Sequence, residues 1–178
     1  VGNQALVKKI ISENKVDSVI HFAAHLAVEE SMKDPIKYYR NNFINSTNFV
    51  DVCCEMGVKN FIFSSTCSAY GTPAKIQVDE NEPMNPISPY GKSKLMTEWM
   101  IQDMANVSSM KFVILRYFNV AGAKVGGGLG QATPQATQLV KVAAEVATGK
   151  RKKLSLYGTQ YNTPDGTCIR DYIHVDDL

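Results

Sequence analysis

The chain lacks long hydrophobic runs, a dominant sign of charge and a cysteine framework. Its longest apolar stretches stop well short of the roughly 20 residues that a membrane-spanning helix needs. With 19 Lys+Arg against 17 Asp+Glu, the formal charge is +2 over 178 residues. That balance supplies no concentrated basic face, which argues against nucleic acid or a membrane surface as partner. The four cysteines, Cys53, Cys54, Cys67 and Cys168, include an adjacent pair in a helical stretch, unlike the framework of a small secreted domain. A reducing cytoplasm is the expected location. His21, His25 and His174 form no zinc-like spacing with these cysteines, so no metal is expected. The first residues show neither a charged segment with an apolar core nor a cleavage pattern, so no targeting segment is read there. They fall straight into a helical pattern (Leu6, Val7, Ile10, Ile11) with no initiator methionine, and the sequence reads as a fragment.

What the chain does have is an ordinary globular composition, 44% hydrophobic and 20% charged. Three short apolar runs read as buried strands: residues 17–24, Asn60 to Ser65, and Lys111 to Tyr117. A helical pattern from about Ile36 to Met56, ending at Gly57, separates the first two. A second helix, opening near Ser88-Pro89-Tyr90 with serine as cap and proline in the first turn, separates the second from the third. Strands alternating with helices of this length imply βαβ crossovers and a parallel sheet covered on both faces. The expected fold is α/β, a Rossmann-like doubly wound sheet. After Asn119 the character changes: Gly122, Gly126, Gly127, Gly128 and Gly130 crowd a stretch read as a mobile loop, because it opens no GxGxxG helix. A helix at about 134–148 and short strands near 153–157 and 168–173 are expected beyond it. Lys150, Arg151, Lys152 and Lys153 read as a solvated helix end. The domain boundary is placed near residue 123.

Tyr90 and Lys94 stand four residues apart, on one face of the helix that starts there. A phenol titrates near pH ~10, so a phenol acting as base near neutrality needs a cation beside it, and a lysine one turn along supplies one. The pair alone is a weak signal, equally compatible with a capping tyrosine and a solvated lysine. Its context adds weight. Ser64, Ser65, Thr66 and Ser68 cluster at the end of an apolar strand, and ligands of open parallel sheets bind beyond the carboxyl ends of strands. A hydroxyl there can share a hydrogen bond with the substrate oxygen that the tyrosine deprotonates. His21-Phe22-Ala23-Ala24 ends another strand in small residues that permit close approach of a flat ring or a phosphate, and Asn119 ends the third.

In this order the segments HFAA (21–24), YYRNN (38–42), NFIFSST (60–66), SPYGKSK (88–94), RYFNVAGA (116–123) and DGTCIRDYIHVDDL (165–178) resemble the extended short-chain dehydrogenase/reductases, nearest the UDP-hexose 4-epimerases among them. The resemblance implies an NAD-dependent epimerase that inverts carbon 4 of a UDP-hexose, interconverting UDP-glucose and UDP-galactose through a transient 4-keto sugar. It implies Tyr90 as catalytic base and acid, Lys94 as the residue that tunes it and binds the nicotinamide ribose, and Thr66 as the hydroxyl partner. Phe22, Ala23, Ala24, Asn41, Ser64, Ser65 and Tyr117, with Tyr90 and Lys94, match cofactor-binding positions. Asn119, Leu139, Tyr157 and Arg170, with Thr66 and Tyr90, match positions that hold the nucleotide-sugar, the arginine facing the diphosphate. Residues 1–123 then correspond to the C-terminal portion of the NAD-binding domain and 124–178 to part of the nucleotide-sugar-binding domain.

The family's glycine-rich pyrophosphate loop is absent from these residues, so this segment alone is not expected to bind NAD tightly. Thr137-Gln138-Leu139 replaces the familiar Asn-Asn-Leu. Relatives that dehydrate their substrates carry an Asp-Glu pair after the threonine, where this chain has Cys67 and Ser68, which disfavours a 4,6-dehydratase or a decarboxylase. A non-catalytic dinucleotide-sensing protein is the other alternative, disfavoured by the joint presence of Thr66, Tyr90 and Lys94. A homodimer is expected through the helices near 36–56 and 89–105, the first carrying Phe43, Phe49, Val50, Cys53 and Cys54.

Overall fold

Three apolar runs become three parallel strands, β1 (Ser18–His21), β2 (Asn60–Ser64) and β3 (Lys111–Leu115), in the spatial order β1-β2-β3. The computed structural model describes residues 1–178 except Gln135. These residues form two compact units, Val1–Arg116 and Tyr117–Leu178.

Register explains the first unit's core. Val19 pairs with Phe61 and Phe61 with Phe112; His21 pairs with Phe63 and Phe63 with Ile114. Side chains alternate across a strand, so both rows face the same way. Onto that face pack α1 (Gln4–Asn14), α4 (Asn45–Glu55) and α5 (Pro89–Val107), and Ile11, Val50, Cys53, Ile101, Phe61 and Phe63 join one buried cluster. The opposite row, Ile20, Ile62 and Val113, is in register across all three strands, with Ile20 58% and Val113 51% exposed. The sheet is therefore parallel α/β as expected, but within the described residues only one face is covered.

Caps set the helix limits. Asn3 Oδ1 accepts from Leu6 N at 3.0 Å to start α1, and Ser88 Oγ accepts from Gly91 N at 3.1 Å to start α5, with Pro89 in its first turn. Gly57, at φ 73°, follows the end of α4. The run expected as one helix from Ile36 to Met56 is divided: α3 (Pro35–Tyr38) passes into a π-helical stretch, Tyr39–Ile44, before α4. A short α2 (Val28–Lys33) precedes it. Val50 and Cys53 are fully buried and Phe49 and Cys54 pack on the same cluster, so this apolar face is occupied by the sheet rather than spare.

In the second unit β4 (Asn119–Ala121) pairs in parallel with β5 (Tyr172–His174), and α6 (Leu139–Ala147) lies between them in sequence. Three expectations are corrected here. Asn119 opens β4 instead of ending the third strand. Residues 153–157 form no strand: Leu154, Leu156 and Tyr157 are exposed, and a strand without a ladder partner does not persist. The helix expected from about 134 starts at Leu139, because Gln138 is still extended (ψ 131°); Gln135 lies outside the described residues. The basic residues after Gly149 lie past the end of α6, where Arg151 turns back to Glu145 at 3.0 Å. No helix among the described residues is long and apolar enough to cross a membrane.

Phe61, fully buried on the central strand, is the keystone of this packing. Phe61→Ala in the full-length protein is expected to lower unfolding free energy by ~3–5 kcal/mol, read from the denaturant midpoint; a loss below ~1 kcal/mol would show that the cluster does not carry the fold.

Candidate active site

Helix α5 delivers Tyr90 and Lys94 one turn apart. Lys94 is only 3% exposed; its Nζ donates to the carbonyl of Ser64, the last residue of β2, at 2.7 Å and lies 4.6 Å from the centre of the Phe63 ring. Burial lowers its pKa from 10.5 to about 8, against the opposing pull of the Glu98 carboxylate one turn further on. At neutral pH it remains mostly an ammonium ion. His21, at the end of β1, sits among Phe49, Phe61 and Phe63, its Nε2 2.8 Å from Ser46 Oγ. Burial first, and Lys94 second, lower its pKa to about 4, so the ring is neutral and adds no second cation beside the lysine.

Thr66 follows β2 and is 7% exposed; its Oγ1 accepts from Ser68 N at 3.1 Å, opening the 3-10 turn Cys67–Ala69. That turn docks on the first turn of α5. A Cβ at Gly91 would stand 2.7 Å from the Ser68 carbonyl oxygen, so glycine beside Tyr90 is what lets the threonine's loop approach the tyrosine's turn. Between Ser64 and Thr66, Ser65 donates its hydroxyl to the Glu98 carboxylate, and its backbone N–H donates to the Leu115 carbonyl at 2.9 Å. Glu98 is fully buried and is held by Arg116, whose Nε and Nη2 donate to Oε2 at 2.9 and 2.7 Å. Arg116 Nη1 also donates to the Tyr70 hydroxyl at 3.1 Å.

The segment after β1 is stapled to the same region. Asn42, 1% exposed in the π-helical stretch, accepts from His25 N at 2.8 Å and donates to His25 O at 2.9 Å, so its amide pairs with the backbone as another peptide would. It also reaches Ser93 Oγ at 3.3 Å on α5, beside Lys94. Asn41 Nδ2 donates to Asn42 Oδ1 at 3.0 Å. Phe22 and Ala23 are exposed and Ala24 half-buried at the end of β1. The Tyr38 ring, fully buried, meets Tyr90 edge-on with centres 6.4 Å apart.

Ser64, Ser65, Thr66, Tyr90 and Lys94 are thus gathered around the end of β2 and the start of α5, with Phe22, Ala23, Ala24 and Asn41 in the neighbouring stapled segment. Tyr117, Asn119, Leu139, Tyr157 and Arg170 belong to the second unit. There Asn119 Nδ2 donates to Asp171 O at 2.8 Å, Leu139 opens α6, Tyr157 is 90% exposed and Arg170 is exposed beside Asp171. Sequence reading missed Glu98, Arg116 and Asn42. Glu98 was open to discovery, because it repeats the four-residue step from Tyr90 to Lys94; Arg116 and Asn42 carry no such spacing.

An ammonium whose pKa falls to about 8 binds its proton less tightly in the native than in the unfolded state. Below pH ~8 this opposes folding by roughly 3 kcal/mol, and the opposition fades as pH rises towards ~10.5. Lys94→Met is therefore expected to raise the unfolding midpoint of the full-length protein at pH 7, with the gain shrinking from pH 8 to 10; a pH-independent difference would contradict this.

The NAD dependent epimerase/dehydratase family matches the chain over residues 1–178. The UDP-glucose 4-epimerase of Azospirillum brasilense is 49% identical over 178 residues, covering 100% of this chain and 51% of that protein. The crystal structure of UDP-glucose 4-epimerase from Brucella ovis in complex with NAD superposes with a TM-score of 0.93 at 44% identity, over 98% of this chain and 54% of that one. The Bifidobacterium longum enzyme in complex with NAD+ and UDP gives 0.91 at 42% identity, over 98% and 53%. The chain spans about half the length of the curated relatives it matches. It shares their Rossmann-like parallel fold, and it belongs to the NAD dependent epimerase/dehydratase family.

Proposed function

We propose that the whole protein is an NAD-dependent UDP-hexose 4-epimerase that interconverts UDP-glucose and UDP-galactose. The observation that carries the reading is the buried Lys94 ammonium, one turn beyond Tyr90 and bonded to the strand end from which Thr66 follows. The relatives named UDP-glucose 4-epimerase, one solved with NAD and another with NAD+ and UDP, support it.

The donor set fits the nicotinamide half of the cofactor. Ala23 and Ala24 offer small apolar surface for a flat ring, and Lys94 has three N–H donors, of which Ser64 takes one. Phe22, Asn41, Ser64, Ser65, Tyr90 and Tyr117 complete the set proposed to hold NAD. When bound, NAD supplies a reversible acceptor for the carbon-4 hydride. The chain's own part is proton handling and orientation. The Lys94 cation favours the Tyr90 phenolate, which takes the proton of the sugar 4-hydroxyl directly or through Thr66. After the 4-keto sugar turns within the site, Tyr90 returns the proton to the 4-oxygen, and carbon 4 is inverted. Asn119, Leu139, Tyr157 and Arg170 are proposed to hold the nucleotide-sugar, with Arg170 opposite the diphosphate.

Cys67 and Ser68, following Thr66, bring no carboxylate to assist elimination of water, which favours epimerisation over dehydration. The full-length protein incubated with UDP-galactose is expected to release UDP-glucose; a 4-keto-6-deoxy product would reassign it as a dehydratase. Tyr90→Phe, which removes one hydroxyl, is expected to lower kcat by at least ~100-fold with the fold intact, and wild-type turnover would remove Tyr90 from its role.

A cytoplasmic homodimer is the proposed assembly, paired through the helical run 35–55 and α5, on which Ile44 and Trp99 remain 49% and 50% exposed. Light scattering of the full-length protein at micromolar concentration is expected to give twice the chain mass; a monomer mass would overturn the pairing.

A further inference from the structure

Glu98 is a carboxylate with no exposure at all, on a helix whose opposite side was available to it. Burying such a group is costly, and a well-packed apolar residue would serve stability as well or better. Its contacts indicate another use. Glu98 accepts from the hydroxyl of Ser65, the residue between Ser64, whose carbonyl receives the Lys94 ammonium, and Thr66. Helix α5 therefore grips the end of β2 at two successive turns, by Lys94 on Ser64 and by Glu98 on Ser65. Tyr90 lies on the next turn back. The Arg116 guanidinium, just past β3, holds both carboxylate oxygens, Nε donating to Oε1 at 3.1 Å and to Oε2 at 2.9 Å and Nη2 to Oε2 at 2.7 Å, and Nη1 donates to the Tyr70 hydroxyl.

We propose that Glu98 is a positioning residue for the reaction: clamped by Arg116, it sets the placement of the Ser64–Thr66 strand end against the Tyr90–Lys94 face of α5. This rests on the epimerase reading above. The second consequence is electrostatic. The charged and titratable groups around Lys94 are Glu98 and Tyr90 on α5 and His21 on β1, and those around Glu98 include Arg116 and, through it, Tyr70. Of these the Glu98 carboxylate is the one that favours the ammonium. Neutralising it leaves desolvation unopposed against the Lys94 charge, so the ammonium gives up its proton at lower pH.

The test uses the full-length protein loaded with NAD. Glu98→Gln keeps the volume and an acceptor oxygen but removes the charge; Ser65→Ala removes only the gripped hydroxyl. Glu98→Gln is expected to lower kcat by about 10- to 100-fold with KM for the UDP-sugar changed less than about threefold. It should also move the alkaline limb of the kcat profile to lower pH. Ser65→Ala is expected to lower kcat by a similar factor with that limb in place. The readout that does not depend on turnover is the titration of Lys94, followed by NMR of lysine labelled at Cε: its midpoint should fall in Glu98→Gln and hold in Ser65→Ala. A purely structural ion pair would lower the melting temperature of Glu98→Gln while leaving kcat per folded molecule and the Lys94 midpoint as in the wild type, and that result overturns the proposal. If Glu98→Gln does not fold, a wild-type kcat in Ser65→Ala overturns it, and a kcat lowered at saturating NAD supports it. If the wild type shows no epimerase activity, the reading above fails on its own, and an unchanged Lys94 midpoint in Glu98→Gln would still refute the electrostatic link.

Discussion

An ammonium ion at the depth of Lys94 demands that its surroundings be fixed before any substrate arrives. A charge in that position loses most of its hydration, and what replaces it is one carbonyl at 2.7 Å, an aromatic face and the field of a carboxylate one turn away. None of these can drift by much without exposing the cost. Hence the surrounding rigidity: the capped, proline-led start of α5, the central position of β2, the fully buried Phe61 and Phe63, and the Arg116 clamp all hold that lysine and the tyrosine before it in one relation. The same set of restraints supplies a preorganised site, in which dipoles and charges do not have to rearrange during the reaction.

Elements whose identity follows from local chemistry were legible in the sequence. Ser88-Pro89 and Gly57 mark helix ends by capping rules that need no tertiary context, and Asn60 to Ser64 is too apolar and too short to be anything but an inner strand. The Tyr90–Lys94 step and the hydroxyl cluster after β2 were readable for the same reason. What failed depended on partners. Asn119 and residues 153–157 look alike as short, partly apolar segments; one finds a ladder in β5 and the other finds none. The Ser65–Glu98–Arg116 network joins residues far apart in sequence, and nothing in the order of the chain announces that an acid on one helix meets an arginine past another strand.

The asymmetry of the sheet is of the same kind. Alternation along each strand tells which residues share a face, and register turns that into two rows, Val19-Phe61-Phe112 beneath the helices and Ile20-Ile62-Val113 open within these residues. Both rows are apolar, as the strands of a doubly covered parallel sheet are. The sequence pattern thus describes a sheet with two covered faces, and the residues at hand build one of them.

The π-helical stretch from Tyr39 to Ile44 fixes more than a local bend. Such a turn holds one residue more than an α-helical turn, and in an α-helix each residue advances the face by about 100°. The buried faces on its two sides, Tyr38 before it and Val50 and Cys53 after it, are phased to each other by that surplus residue. Losing a single residue here would rotate α4 on its axis and carry Asn42 away from the His25 backbone it mimics a peptide to hold. This short segment therefore tolerates exchange of its exposed side chains, such as Arg40, far better than any change in its length.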